Sequence, residues 1–325
     1  MATNAITQAE LNECDREPIH IPGAIQNHGL LFALTPDRWL VTHVSENIET
    51  DYGIPVSSVL GEPLASLIEE GQRERLGKIL EDADCERANP IRIQVNLNNK
   101  ALVFDGVTHR GESWLILEME NPRSPKEAGM PKRRAADNHF QLIQNSLAES
   151  AKLQGVESVT DLMAREIKRF TGFDRVMVYR FAEDFHGEVI AEARNDTLEP
   201  FFGLHYPATD IPKQARELYC RNRLRLLHQV DAEPVRIVAH PDAETKGPLD
   251  LSLSVLRSLS PIHIQYLKNM GVSATMTISL LDEGRLWGLI ACHHYDGAKF
   301  VPYEMRSACS LYGAVMSSEI VSKQR

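Results

Sequence analysis

The sequence predicts an α+β protein of two domains, each a mainly antiparallel sheet with flanking helices. The chain has 325 residues, which is long enough for two domains that each bury a core. Short apolar or alternating runs separated by turn residues indicate strands in both halves. A segment rich in Pro, Lys, Arg and Ala, at 122–137, divides the halves and is typical of a linker. The predicted domains are therefore residues 1–121, which include an N-terminal arm, and residues 138–325.

The first domain contains five predicted strands. Residues 30–34 and 39–44 flank the turn 35–38, which is a hairpin signal. Short helical patterns follow, of which 71–82 is the clearest. The other three strands are predicted at 91–97, 101–108 and 113–119. Two strands, small helices and three more strands form the order of a PAS domain, which many small α+β domains share.

The second domain begins with two helical patterns, at 140–153 and 159–170, and the second of these is closed by Gly172. The run 175–181 is apolar on both faces except for its arginines, which indicates a central strand in a covered sheet. A strand at 188–193 leads into a long irregular loop. Helices, strands, a large insertion and a closing hairpin form the order of a GAF domain.

A capped helix of about ten residues follows the insertion. Ser260 is a typical N-cap, a proline follows in the first turn, and Gly271 ends the helix. His263 and Tyr266 share one helical face, and Arg257 lies one turn upstream. These side chains suggest a pocket for a large, flat, acidic molecule. The alternative is a buried helix whose His and Tyr are satisfied by backbone groups.

The closing hairpin, 275–281 and 285–295, has two faces of different character. Its predicted apolar face carries Ala274, Met276, Ile278 and Leu280. On the second strand, the predicted residues of one face are Trp287, Leu289, Ala291 and His293. Thr275, Thr277 and His293 line either a cavity or a solvent-facing row. Cys292 points away from His293, so the two cannot act as nucleophile and base.

Composition excludes several classes of function. Hydrophobic residues make up 43% of the chain and charged residues 25%, as in an ordinary globular protein. The net charge of −10 argues against a nucleic-acid surface, which needs an excess of Lys and Arg. No apolar run approaches the roughly 20 residues of a membrane helix, and residues 1–17 lack a signal core. The sequence therefore predicts a cytoplasmic protein without nucleic-acid or membrane partners.

The five cysteines are odd in number and form no C-x-x-C pair, which indicates reduced thiols. Four are expected to be buried. Cys14 differs because it lies in a polar, extended arm, where it is either a reactive thiol or a surface cysteine without a functional role. A zinc site formed by Cys14 with His20 and His28 is a weak alternative.

Six separated runs carry a resemblance to a known family: 14–23, 174–181, 206–212, 215–219, 255–271 and 286–294. In this order they resemble the chromophore-binding half of a bacteriophytochrome, a PAS domain followed by a GAF domain, over nearly the whole chain. One departure is Thr209, where the family usually has Ser, and we expect little effect from it.

The resemblance implies a linear tetrapyrrole, biliverdin IXα, joined by a thioether to Cys14. Ile262 stands where plant and cyanobacterial relatives carry their attachment cysteine, so biliverdin is the expected pigment. Arg225 and Arg257 match the family's propionate-binding arginines. The other residues that the resemblance assigns to cofactor binding or the pocket wall are Met177, Tyr179, Phe201, Tyr206, Ile211, Tyr219, Ser260, Tyr266, Thr275 and Thr277.

Three further residues have implied mechanistic roles. The backbone carbonyl of Asp210 and a water near His263 hold the inner pyrrole nitrogens, and His293 hydrogen-bonds the outermost ring's carbonyl. A buried cationic tetrapyrrole requires such acceptors. Light isomerises a methine double bond, and the outermost ring turns between Tyr179, Tyr206 and His293. Repacking of the pocket is then the signal.

The resemblance also implies a larger setting. The arm around Ile25 is expected to pass through the loop 231–257 as a knot. Phytochromes continue into a PHY domain and an output module, commonly a histidine kinase, so the chain is expected to be a non-enzymatic module in which fluorescence competes with photoconversion. A homodimer through helices 140–153 and 301–321 is expected, and packing of these helices on their own sheet is the alternative.

Two other functions remain open from the residues. A GAF-type sensor that binds a small molecule without a covalent bond explains the pocket but leaves the run around Cys14 without a role. A Cys/His hydrolase is disfavoured by the opposed faces of Cys292 and His293.

Overall fold

The computed structural model describes residues 17–97, 100–121 and 139–324, and these form two compact units. Among the described residues, the first unit combines 20–97 and 100–121 with 232–259. The second combines 17–19 and 139–231 with 260–324. Residues 232–259 thus pack with the first unit although they lie within the predicted second domain. The predicted linker, 122–137, lies outside the described residues.

The elements are numbered in chain order. The strands are β1 (Ala24–Ile25), β2 (Gly29–Leu34), β3 (Val41–Ser45), β4 (Ile91–Leu97), β5 (Lys100–Arg110), β6 (Leu115–Glu120), β7 (Arg175–Phe181), β8 (Gly187–Arg194), β9 (His205–Tyr206), β10 (Leu224–Leu227), β11 (Val235–Ala239), β12 (Ala274–Asp282) and β13 (Arg285–His294). The α-helices are α1 (Asn47–Tyr52), α2 (Glu70–Glu81), α3 (His139–Ser150), α4 (Gly155–Thr171), α5 (Lys213–Arg221), α6 (Pro241–Glu244), α7 (Pro261–Asn269) and α8 (Tyr303–Gln324).

Each unit is built on one antiparallel sheet. The first has the order β1-β11-β3-β2-β6-β5-β4, and the second has the order β10-β12-β13-β7-β8-β9. Every pairing between neighbouring strands is antiparallel. The predicted α+β class, with antiparallel sheets and flanking helices, is confirmed.

Both faces of the first sheet are covered. Strand β2 is buried at every position, because Leu30 and Phe32 pack against α1, α2 and β4, while Leu31 packs on the opposite face. That opposite face is covered by the arm and by residues from 232–259, including Leu256. A continuous apolar run is what a strand buried on both faces requires.

The N-terminal arm is tightly bound to the returning segment within the first unit. Ile25 is fully buried and pairs with Val235 in β11 and with Arg257 through an isolated bridge. The Gln26 N–H donates to the Leu256 carbonyl at 2.8 Å. The arm therefore contacts both ends of the segment through which we expect it to pass, and the knot itself stays a prediction.

In the second unit, helices α3, α4 and α8 cover one face of the sheet. Their apolar residues pack on Val176, Val178, Met276 and Ile278. The predicted apolar face of β12 is therefore confirmed. The opposite face, which carries Met177 and Tyr179, forms a separate cluster.

Three local predictions were wrong. The stretch after β8 was predicted as a long irregular loop, but it contains β9, α5, β10, β11 and α6. The predicted strand at 39–44 begins later, at Val41, because Trp39 has a φ of 53° and belongs to the turn. On β13, Trp287 packs on the helix-covered face and Leu286 takes the other side. The cause is a register shift opposite Leu280, which flips the alternation for the residues beyond it.

Helix α7 follows the prediction closely. The Ile262 N–H donates to the Ser260 hydroxyl oxygen at 3.2 Å, as an N-cap requires, and the helix starts at Pro261. Gly271 has a φ of 68°, the left-handed conformation of a C′ glycine. None of the helices in the described ranges is long and apolar enough to cross a membrane.

Candidate functional site

The face of the second unit's sheet opposite α3, α4 and α8 gathers the aromatic residues that the sequence singled out. Met177 and Tyr179 on β7 and Leu289 on β13 form the buried floor of this cluster. Partly buried residues pack around them: Phe181, Phe201, Tyr206, Ile211, Tyr219, Leu286 and Ala291. The fold thus brings together six of the predicted site residues: Met177, Tyr179, Phe201, Tyr206, Ile211 and Tyr219. We call this set the aromatic face.

Tyr179 lies at its centre. Its ring is 6.1 Å from the Tyr206 ring and 5.2 Å from the Phe181 ring, centroid to centroid. Burial raises the pKa of Tyr179 to about 12, with smaller contributions from Asp210 and Tyr206. The ring crosses β8 at Gly187, where a Cβ atom would lie 1.8 Å from Tyr179 Cζ. Gly187 is therefore required by the close approach of this ring, a role that was not predicted from the sequence.

Asp210 connects the 207–212 turn to helix α7. The Tyr266 hydroxyl donates to Asp210 Oδ2 at 3.3 Å. Burial raises the pKa of Asp210, and the hydrogen bond from Tyr266 opposes that effect. Burial also raises the pKa of Tyr266, so the phenol keeps its proton. This contact fixes the turn against the helix that carries His263.

The two predicted histidines are neutral. Burial lowers the pKa of His263 to about 4, and the nearby charge of Arg225 adds to the effect. Burial lowers the pKa of His293 to about 3, with contributions from Arg175 and His263. His293 is buried, and its Nδ1 atom has no hydrogen-bond partner among the described residues. A neutral imidazole with an unpaired buried nitrogen is suited to hydrogen-bond a polar atom of a ligand.

The hydroxyl row of β12 lies beside these groups. Thr275 is buried and pairs across the sheet with His293, whereas Thr277 pairs with Ala291. The solvent-facing alternative for this row is therefore wrong, because Thr275 and His293 are both buried.

Arg225 on β10 is the cross-strand partner of Thr277 on β12. The strand beside the hydroxyl row of β12 therefore carries an arginine. Its charge lowers the pKa of His263 and opposes the effect of burial on Tyr219. The Ser260 hydroxyl, which caps α7, donates to Glu17 Oε2 at 2.6 Å.

Arg257 belongs to the first unit. Its side chain is buried, and its Nε and Nη1 atoms have no hydrogen-bond partner among the described residues. Buried donor groups without partners are costly unless a polar or anionic group satisfies them. Cys14, the predicted attachment residue, lies outside the described residues.

One strongly bound pair on this face was not predicted from the sequence. Arg175 and Glu192, on neighbouring strands β7 and β8, form an ion pair whose side chains are 2% and 4% exposed. An arginine in an otherwise apolar central strand was a usable signal, because a buried charge needs a partner.

The geometry excludes a Cys/His hydrolase at this site. Cys292 lies on the helix-covered face, and burial raises the pKa of its thiol well above the ordinary value. The thiolate that attacks a substrate is therefore disfavoured. In the part of the chain that the structure describes, no group of three or more His, Cys, Asp or Glu side chains could hold a metal ion. Of the cysteines expected to be buried, Cys220 is partly exposed.

Comparisons with known proteins agree with this arrangement. A family model described as "PAS fold" matches residues 14–122, and one described as "GAF domain" matches residues 155–316. Cyanobacterial phytochrome B of Nostoc sp. is 42% identical over 100% of this chain, which spans 43% of that relative. The bacteriophytochrome of Pseudomonas aeruginosa is 38% identical over 97% of this chain, which spans 41% of that relative. The chain thus spans less than half the length of these relatives.

Solved structures extend the likeness to the fold. The chromophore-binding domain of Stigmatella aurantiaca bacteriophytochrome matches with a TM-score of 0.88 and 43% identity, covering 96% of this chain and 100% of that one. The chromophore-binding domain of an unusual bacteriophytochrome from R. palustris matches with a TM-score of 0.85 and 38% identity, covering 96% and 99%. This chain therefore belongs to the phytochrome family of photoreceptors, with the PAS and GAF arrangement of the bacteriophytochrome chromophore-binding domains.

Proposed function

We propose that this chain is a red/far-red light-sensing module that binds biliverdin IXα covalently through Cys14. The observation that carries the proposal is the aromatic face beside His293, a buried neutral imidazole with an unpaired Nδ1 atom. Such a surface suits a flat conjugated ligand with a few polar atoms.

The donor set fits the pigment. Biliverdin has four nitrogen-containing rings and two propionates, and it would supply the conjugated system that absorbs light and isomerises. The unpaired donors of buried Arg257 suit a carboxylate, and the position of Arg225 beside Thr277 suits another. A hydrogen bond between charged groups contributes roughly 1.5–3 kcal/mol, so each arginine by itself would bind a carboxylate strongly.

Residues of this chain would also control where protons reside. His263 and His293 stay neutral at neutral pH, so neither would add positive charge beside a protonated tetrapyrrole. Asp210 offers its backbone carbonyl at a turn that Tyr266 holds in place. Tyr179 and Tyr206 would form the walls between which the outermost ring turns.

The attachment site rests on the resemblance and on the chemistry of the other cysteines. Cys85, Cys292 and Cys309 are buried, and burial raises the pKa of each of these thiols. Cys220 is partly exposed, with a raised pKa as well. Cys14, in the arm whose following residues are bound to the 232–259 segment, is the proposed nucleophile.

The wider assembly is also a proposal. Within the full-length protein, the module would transmit its change to a PHY domain and an output module, of the histidine kinase type, in the cytoplasm. A homodimer would form through α3 and α8, where Leu311 is 55% exposed. The solved photosensory core module of Stigmatella aurantiaca phytochrome extends beyond the region that this chain covers, which is 60% of that structure.

The test is denaturing electrophoresis with zinc-enhanced pigment fluorescence after mixing with biliverdin. Wild type and Cys220→Ala should give a fluorescent band, and Cys14→Ala should give none. Cys220→Ala is the matched control because Cys220 is the partly exposed cysteine among the described residues. No band for wild type would contradict covalent attachment and favour the small-molecule GAF sensor. A band for Cys14→Ala would place the attachment at another residue.

A further inference from the structure

The buried ion pair of Arg175 and Glu192 is bound to a loop as well as to the sheet. Glu192 Oε2 accepts hydrogen bonds from two consecutive backbone N–H groups, Phe201 at 3.0 Å and Phe202 at 3.1 Å. These amides belong to the connection 195–204 between β8 and β9. One carboxylate thus satisfies two amides and a guanidinium in a buried place.

Arg175 completes the arrangement from the other side. Its guanidinium carbon lies 3.7 Å from the centroid of the Phe201 ring, and its Nε donates to the Tyr295 hydroxyl at 3.0 Å. In the sheet register, Arg175 is the direct partner of His293. The pair therefore contacts Phe201, a wall of the aromatic face. Arg175 also lies on the strand next to His293, the residue whose Nδ1 atom is unpaired.

The rest of the loop shows what the pair adds. The ends of the connection are held by backbone hydrogen bonds, from Asn195 N–H to the Asp174 carbonyl at 2.9 Å and from Gly203 N–H to the Val189 carbonyl at 2.8 Å. Between these ends, the Phe201 and Phe202 amides depend on Glu192. Without the carboxylate, the loop would stay attached at both ends but Phe201 would lose its fixed position.

We propose that Arg175 and Glu192 are positioning residues: they hold the 195–204 loop so that Phe201 forms a fixed wall of the ligand site. The identity of the ligand rests on the proposed function, whereas the effect of the two residues on the 195–204 loop does not depend on it. A buried ion pair is weak evidence for a contribution to stability, because the desolvation of both charges offsets their attraction.

The first test is amide hydrogen exchange of the ligand-free protein, resolved at Phe201 and Phe202. In Glu192→Gln, exchange of these two amides should be about tenfold faster, because a neutral amide oxygen accepts more weakly than a carboxylate. The double variant Arg175→Gln/Glu192→Gln avoids a buried unpaired charge and should show the same increase. Glu188→Gln is the matched control, since Arg180 and Glu188 form a half-exposed pair at 2.9 Å on the same two strands.

The second test uses biliverdin. The Glu192→Gln adduct should show a shifted red absorption band and a loss of fluorescence yield, whereas Glu188→Gln should match wild type. Unchanged exchange in Glu192→Gln would overturn the proposal. Faster exchange with an adduct spectrum identical to wild type would also overturn it, since the pair would then be a stabilising contact without effect on the site. If wild type takes up no biliverdin, the proposed function fails, while the exchange rates still decide whether the pair holds the loop.

Discussion

Replacement of Gly187 by alanine tests whether the close approach of Tyr179 to β8 shapes the aromatic face. A Cβ atom at this position would lie 1.8 Å from Tyr179 Cζ, 2.0 Å from Cε1 and 2.1 Å from the hydroxyl oxygen. Real contacts cannot be this short, so the ring must leave its place. Gly187 has no left-handed φ, and the expected cost therefore comes from the ring and not from backbone strain.

The magnitude follows from the cost of overpacking. Forcing extra atoms into a packed region costs about 1–3 kcal/mol, and we expect Gly187→Ala to lower the free energy of unfolding by that amount. The clashing atoms are all at the far end of the ring. Tyr179→Leu removes these atoms, so adding Gly187→Ala to it should cost much less, with a coupling energy of about 1–3 kcal/mol.

Urea unfolding of the four proteins in this cycle measures the coupling, and biliverdin uptake measures the effect on the site. Gly71→Ala is a control in helix α2, because a Cβ atom there would meet nothing within 4 Å. It should leave stability unchanged or raise it by up to about 1 kcal/mol. Additive free energies for Gly187→Ala and Tyr179→Leu would refute the reasoning.

Two further predictions concern stability. Burial lowers the pKa of His43 to about 4 and that of His293 to about 3, from an ordinary value of 6.5, so between these values the unfolded chain binds protons that the folded chain does not. The unfolding free energy measured in urea should therefore fall as the pH falls from 6.5 towards 4, by up to about 3 kcal/mol per histidine. His43→Gln should make the unfolding free energy depend less steeply on pH. A pH profile that His43→Gln leaves unaltered would be inconsistent with the burial argument. Ser260→Ala removes the N-cap of α7 and the hydrogen bond to Glu17, and it should lower the free energy of unfolding by about 1 kcal/mol in thermal or urea unfolding. Ser66 is an exposed serine in a short turn, so Ser66→Ala should lower it by less. Equal effects of the two substitutions would contradict the capping role.

Local signals in the sequence were enough to predict most elements. The strands β4 and β7 have the predicted bounds, and α7 begins and ends at its predicted caps. The apolar face of β12 follows from alternation alone. These features succeed because strand alternation, capping and glycine at a helix end depend on residues close in sequence.

The site residues were predicted in a different way. Spacing placed His263 and Tyr266 on one face of a helix, but it left a buried structural role equally open. The roles assigned to Asp210, Arg225 and His293 came from the resemblance to a family. The structure then brought the aromatic residues together and showed the unpaired nitrogen of His293.

The sequence by itself determined the fold class, most strands and helices outside the large insertion, and the family of this protein. The tertiary structure decided that β11 joins the first unit's sheet, that Trp287 faces the helices, and that Glu192 binds both Arg175 and a loop. The physical reason is that these features depend on partners distant in sequence, or on a one-residue register shift that reverses every side chain beyond it. Alternation and propensity describe each strand separately, so they carry no information about the partner that a buried charge will find.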